Sequence, residues 1–349
     1  MTAVTTTGEV QTQFDAAVVI PTVLRPSLGR AVRSVFDQDL KGRIQILIGI
    51  DQRQGADACL EGLARECPDH ICLTILDLGY STSSRHGGFY SCHYGGSLRT
   101  ILSYAANSRY VAYLDDDDWW ARGHLSALQS AIAGKSWAFS YRWLVDRATG
   151  WPICRDGWDS VGPGRGINQQ RYGGFVCPST LFLDKSVCHF VLPYWSVAPG
   201  DDGAGEDRLV FEALLQHKPW GSSGKYSCYY EVSGEVLAHH HHAREFAARR
   251  IGWIYDRAQV DTVTRLADEA ERALDSGDTG SAIATSQRAL AINPYHAPSL
   301  YTLARAEHQA GSARDASSHL LEALAVDDRD PAILAAWSQI TGRPRIAAE

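Results

Sequence analysis

Short apolar runs and segments with helical spacing take turns along the front of the chain. Ala16 to Ile20 is an apolar run closed by Pro21, which predicts a buried strand. Leu28 to Phe36 follows with Leu28, Val32, Val35 and Phe36 at the period of a helix. Ile44 to Ile50 predicts a second strand, Ala58 to Arg65 a helix and Ile71 to Leu76 a third strand. A Gly- and Ser-rich loop over 79–97 then leads to a helix at Leu98 to Asn107 and a strand at Tyr110 to Leu114. Such alternation predicts an α/β class, a mostly parallel sheet covered by helices on both faces. Between about 138 and 240 the pattern loosens; strands are expected at Ala138 to Val145 and Phe175 to Leu183, and a helix at Arg208 to Gln216.

After Val260 the chain becomes Ala-rich and repeats itself. Ala270 and Ala304, Gly277 and Gly311, Ala282 and Ala316, Ala289 and Ala323, and Leu290 and Leu324 each lie 34 residues apart. Small residues recur where paired helices touch, and the Gly marks the turn between them. The period, with Asn293-Pro294 closing the first unit, resembles the tetratricopeptide repeat. Two units cover 263–330, and 331–341 reads as a capping helix. Eleven acidic and six basic residues between 263 and 342 give this all-α segment an acidic surface.

Composition narrows the function classes. The net charge of -7 argues against a nonspecific nucleic-acid binder, which needs an excess of Lys and Arg. Met1 to Gln13 is polar and Thr-rich, without the basic and apolar regions of a secretory signal. No apolar stretch reaches the ~20 residues of a membrane span. Eight scattered cysteines without a C-x-x-C pair suit reduced thiols more than a disulfide framework or a structural zinc. The expectation is a cytoplasmic protein, with a peripheral place at the inner face of the membrane also compatible.

The chemistry concentrates in Asp115, Asp116, Asp117 and Asp118, between Leu114 and Trp119-Trp120. Adjacent carboxylates repel, and partial burial raises their pKa values unless a cation or donors compensate. If the strand continues, Asp115 and Asp117 share a face. Two such carboxylates hold a hard divalent ion, Mg²⁺ commonly together with substrate phosphates. A solvated acidic turn is the competing reading. In parallel sheets, ligands bind outside the carboxyl ends of the strands. Thr22, Asp51 and Asp115 all fall there.

Val18-Val19-Ile20-Pro21-Thr22-Val23-Leu24-Arg25-Pro26, with Ser34-Val35-Phe36-Asp37-Gln38, resembles the opening of the family 2 glycosyltransferases, which have a GT-A fold. Gly96-Ser97-Leu98-Arg99-Thr100 takes the place of the family's Ala-Arg-Asn sequence, and Arg99 stands sixteen residues before Asp115. Leu114 to Trp119 looks like the D-x-D motif, and Gly205-Glu206-Asp207-Arg208 is similar to the E-D motif at a helix start. The resemblance covers roughly 16–245. It implies a GT-A domain over 14–245, and the 34-residue period adds the repeat-like domain at 263–342, with a linker helix expected between them at 246–262.

The resemblance implies a metal-dependent, inverting transfer of a sugar from a UDP-, GDP- or dTDP-linked donor to a hydroxyl of a glycan or protein. Pro21, Thr22, Arg25, Asp51, Arg99, Asp115 and Asp116 are the donor-binding candidates. Asp117, with Asp115 and His242, is the candidate set for Mn²⁺ or Mg²⁺. Asp207 is the candidate general base, held ionised by a helix N-terminus. Glu206, Trp119 and Trp120 are acceptor-side candidates, although tryptophans are mostly core residues. Within His239 to His242, an extended run would put His240 and His242 on one face; a solvated linker is the alternative. Asp51-Gln52-Arg53-Gln54-Gly55 and Thr100 depart from the family pattern. The long loop 80–94 suits an active-site lid or a disordered segment. The repeat would bind a protein acceptor or partner. Two other readings compete: a noncatalytic nucleotide-binding scaffold acting through the repeat, and a nucleotidyl transferase, for which no Gly- and Lys-rich phosphate loop is seen.

Overall fold

A computed structural model describes residues 3–7, 13–55, 57–93, 95–233, 241–251 and 255–342. The chain divides into two compact units, one of Met1–Arg142 with Asp156–Cys228 and the other of Trp143–Arg155 with Tyr229–Glu349.

The first unit opens with β1 (Ala3–Thr7), β2 (Ala16–Thr22), α1 (Leu28–Phe36), β3 (Ile44–Ile50), α2 (Ala58–Glu66) and β4 (Ile71–Asp77). It continues through α3 (Gly96–Ala105), β5 (Tyr110–Tyr113), β6 (Trp119–Trp120), α4 (His124–Ala131) and β7 (Trp137–Asp146). In chain order there follow β8 (Pro152–Arg155), which falls in the second unit, β9 (Gly162–Pro163), α5 (Gln169–Tyr172), β10 (Gly174–Phe175), β11 (Leu181–Asp184), α6 (Lys185–Cys188), α7 (Glu206–His217) and β12 (Trp220–Val232), whose last residues, like those of β7, belong to the second unit. The main sheet runs β1-β4-β3-β2-β5-β11-β7-β12-β6. Its centre, β4-β3-β2-β5, is parallel, while β1 and β11 join antiparallel.

Every residue of β2 and β3 is buried, because helices cover both faces of these strands. One face carries Val18, Ile20, Ile46 and Ile48 against α1 residues Leu28, Val32 and Val35. The other sets Ala17, Val19 and Leu47 against Leu102. That two-faced burial is why β2 and β3 read as continuous apolar runs and not as alternating ones.

The expected strand at Phe175 to Leu183 is broken. Pro178 opens a 3₁₀ turn at Pro178–Thr180, leaving β10 and β11 on either side. β12 has no counterpart in the sequence reading, since Gly221, Ser222, Ser223 and Gly224 hide its first half.

In the second unit, helices Arg257–Asp275, Thr279–Ile292, Ala297–Gln309, Ala313–Val326 and Pro331–Thr341 follow the repeat. The alanines spaced by 34 residues are fully buried at 270, 304, 282, 316, 289 and 323. Gly277 and Gly311 sit at φ +83° and +86°, a left-handed turn that favours glycine. The hairpin Trp143–Arg155 belongs to this unit: Trp143 meets Tyr295 edge-on at 5.0 Å, and Trp151 meets His296 at 5.0 Å. No described helix is long and apolar enough to cross a membrane.

Candidate active site

β5 ends at Tyr113, so the strand alternation stops before the aspartates. Asp115 to Asp118 form a turn instead, closed by the Asp118 N–H donating to the Asp115 carbonyl at 3.1 Å. The four side chains consequently divide into two pairs, 116 with 117 and 115 with 118.

Asp116 and Asp117 face the end of β2. Thr22 Oγ1 donates to Asp116 Oδ2 at 2.6 Å and accepts the Leu24 N–H at 2.8 Å. Arg25 Nη1 bridges Asp116 Oδ1 at 2.8 Å and Asp117 Oδ2 at 3.0 Å. Asp116 is buried and Asp117 a quarter exposed, while half of the Arg25 side chain meets solvent. Burial raises the Asp116 carboxyl despite Arg25 and Thr22. Pro21 lies buried at the strand end, and Arg30 donates to the Asp117 carbonyl while covering Trp119 at 3.7 Å.

Asp115 pairs with Arg99, which extends from the first turn of α3, and its N–H donates to Ser179 Oγ at 3.1 Å. Ligand atoms of Asp115, Asp118 and Cys177 lie within 4.8 Å of one another. Burial, with the charges of Asp117 and Asp115, pushes the Asp118 carboxyl well up, and burial also raises the Cys177 thiol. Behind them stands a buried cation. Arg142 donates to Asp156 at 2.7 Å and to Asp159 at 2.5 Å.

Arg99 also reaches Glu206 at 3.6 Å, which ties the aspartate turn to the start of α7. Burial lowers its guanidinium, and the Asp115 and Glu206 charges override this to leave it raised. Gly205 at φ +92° turns the chain into α7, so Glu206 and Asp207 occupy its first turn. Burial, then the Asp207 charge, lifts the Glu206 carboxyl to about 7. Asp207 keeps a fifth of its side chain exposed and accepts the Arg208 N–H at 2.8 Å. Burial raises its carboxyl as well, against the helix N-terminus that the sequence reading relied on.

Other candidates are placed differently from the sequence expectation. Asp51 is buried and accepts from the Thr82 N–H at 2.9 Å, from Thr82 Oγ1 and from Ser81 Oγ, so it fastens the loop that starts at 81. That loop is ordered by its own bonds, with the Tyr90 N–H donating to the Thr82 carbonyl at 3.0 Å. Trp120 is fully buried, stacked on His124 at 4.2 Å and donating to the Ser179 carbonyl, so it is a core residue and not an acceptor contact. Trp119 is partly exposed. His242 belongs to the second unit, on the helix His241–Arg249, buried beside Tyr230 at 6.3 Å. His239 and His240 lie outside the described residues. Sequence reasoning missed Cys177, Ser179 and Arg142, because long-range pairing of β11 and β7 brings them in and no local motif marks them.

Residues 273–340 match the tetratricopeptide repeat family model. No curated protein matches the chain. Among solved structures, S. aureus TarS 1–349 is similar over 94% of this chain and 92% of its own, at 13% identity and a TM-score of 0.46. The same protein in complex with UDP-GlcNAc aligns at 13% identity over 94% and 92%, with a TM-score of 0.45. The mannosyltransferase PcManGT from Pyrobaculum calidifontis, in complex with GDP-Man and Mn²⁺, aligns at 12% identity over 95% and 84%, with a TM-score of 0.44.

Proposed function

We propose that the first unit is a GT-A glycosyltransferase of family 2 type, moving a sugar from a nucleotide-sugar donor to an acceptor hydroxyl with inversion. The observation that best supports this reading is the ion-pair chain from Asp115 through Arg99 to Glu206, the chain neighbour of Asp207, which ties the aspartate turn to the start of α7. Thr22, Arg25 and Asp116, already held together, form the donor side. Arg25 supplies an exposed guanidinium for the donor's phosphates, and its release from Asp117 would free that carboxylate.

The residues present suit a divalent cation. Asp115 and Asp118 offer oxygen ligands within 4.8 Å of one another, with Asp117 in the same turn, and a cation would offset the burial, and after it the charges of Asp117 and Asp115, that push the Asp118 carboxyl up. Bound there, Mn²⁺ or Mg²⁺ would supply Lewis-acid neutralisation of the departing pyrophosphate. The Cys177 thiol, raised by burial, stays neutral and adds no charge. Asp207, partly exposed and with its carboxyl pushed upward, accepts the proton of the attacking hydroxyl. The acidic repeat would present a protein acceptor or partner.

Thermal-shift screening of the full chain with UDP-, GDP- and dTDP-sugars plus Mn²⁺ tests the donor side. Stabilisation by one donor class, lost in Arg25→Ala, is expected. No shift with any of the three contradicts the proposal.

A further inference from the structure

The opposite end of the sheet carries a second charged hollow. β11 runs antiparallel to β5 with Asp184 opposite Tyr110, so the residue before β5 meets the residue after β11. These are Arg109 and Lys185, joined by the Lys185 N–H donating to the Arg109 carbonyl at 2.7 Å. Around them opens a cavity of about 520 Å³, lined also by His189, Asn107, Ser108 and Ser186. Among the described residues, no Asp or Glu lines it. Asp184 is buried and accepts from Arg109 at 2.6 Å and Ser186 Oγ at 2.6 Å. Two of the five Arg109 N–H donors serve it, and more than half of the side chain remains exposed.

Lys185 is the unusual member. It is half-buried, and Nζ donates to the Ser103 carbonyl at 3.2 Å and to that of Ala106, at the end of α3. Burial lowers its ammonium, with no carboxylate among the causes acting on it. An ammonium desolvated among neutral dipoles gains from an anion, which a carboxylate partner would otherwise provide. Arg109 lies six residues before Asp115, about 20 Å along an extended chain, so the hollow is separate from the crevice at the strand ends.

We propose that this cavity binds a phosphate monoester group, either free or carried on a lipid headgroup. Arg109 offers a planar fork, Lys185 a point charge, and Ser108 and Asn107 neutral donors, which together suit several oxygens on one anion. A carboxylate has two acceptor oxygens and uses fewer of these donors.

Hydrogen exchange of the full chain, read by mass spectrometry without metal, tests the site with inorganic phosphate and with phosphatidic acid vesicles as separate probes. Protection over 104–109 and 185–192 is expected from at least one probe. It should weaken at least tenfold in ligand concentration for Lys185→Gln and likewise for His189→Gln, so a folding defect in one variant leaves the other. Protection by inorganic phosphate identifies a free ligand, and protection by vesicles alone identifies a headgroup; both support the proposal. Protection confined to 112–120, none with either probe, or protection in both variants as strong as in the natural chain overturns it.

Discussion

Replacing Arg99 by Met removes the cation that joins the aspartate turn to α7. Arg99 and Glu206 are 6% and 7% exposed in their side chains, and Asp115 is 27% exposed. At 3.6 Å and an effective dielectric near 20, the Arg99–Glu206 attraction is about 4.6 kcal/mol before desolvation. Removing one partner of a buried pair costs about 3–5 kcal/mol, because the remaining charge is left uncompensated. Arg99→Met is therefore expected to lose about 3–4 kcal/mol at pH 8, read from urea unfolding by tryptophan fluorescence.

The loss should depend on pH in a set direction. The Glu206 carboxyl is raised to about 7 from an ordinary 4.5. Its contribution is thus most favourable below 4.5 and declines as pH rises through 7. At pH 5.5 Glu206 is protonated in the folded protein, and the Arg99→Met loss should shrink to about 2 kcal/mol, the share belonging to Asp115. Adding Glu206→Gln to Arg99→Met should recover about 1–2 kcal/mol at pH 8. A loss below about 1 kcal/mol, or no recovery in the double variant, refutes the ion-pair chain as described.

Glu206→Gln alone is expected to stabilise at pH 8 by less than it recovers beside Arg99→Met, because Arg99 still compensates the ionised carboxylate in the natural chain, and to be neutral near pH 4.5, as paired urea titrations would show. His124, whose burial lowers its pKa to about 3, contributes stability above pH 6.5 that is lost as pH falls towards 3. Relative to His124→Phe, the natural chain should lose about 2 kcal/mol between pH 6.5 and 4.5 in urea titrations. Gly96→Ala would set a Cβ 1.9 Å from the Trp195 carbonyl, and a fall in Tm of more than about 8 °C is expected by calorimetry.

Much of the front half of the first unit was legible because its signals are local. α1 and β3 end where the apolar periods end, and Arg99 does meet Asp115 across the sixteen-residue spacing. The limits were set by long-range geometry. Strand alternation put Asp115 and Asp117 together, whereas the turn at 115–118 groups Asp115 with Asp118 and leaves Asp117 with Arg25. Asp51 looked like a group awaiting a nucleotide, and Ser81 and Thr82 occupy it from thirty residues away. Trp120 stood beside the motif in sequence, but β6 turns it into the core.

Release of nucleoside diphosphate from the matched nucleotide-sugar in the presence of Mn²⁺ tests the central claim most directly, with the natural chain set against Asp207→Asn. Asn keeps the shape of Asp207 and removes its basicity, and general-base catalysis contributes about 10²–10⁴-fold. The account predicts measurable transfer to an acceptor hydroxyl by the natural chain, a fall of at least about 100-fold in kcat for Asp207→Asn, and little change in donor affinity. Equal rates in the two proteins, or no release with any of the UDP-, GDP- and dTDP-sugars, would contradict it.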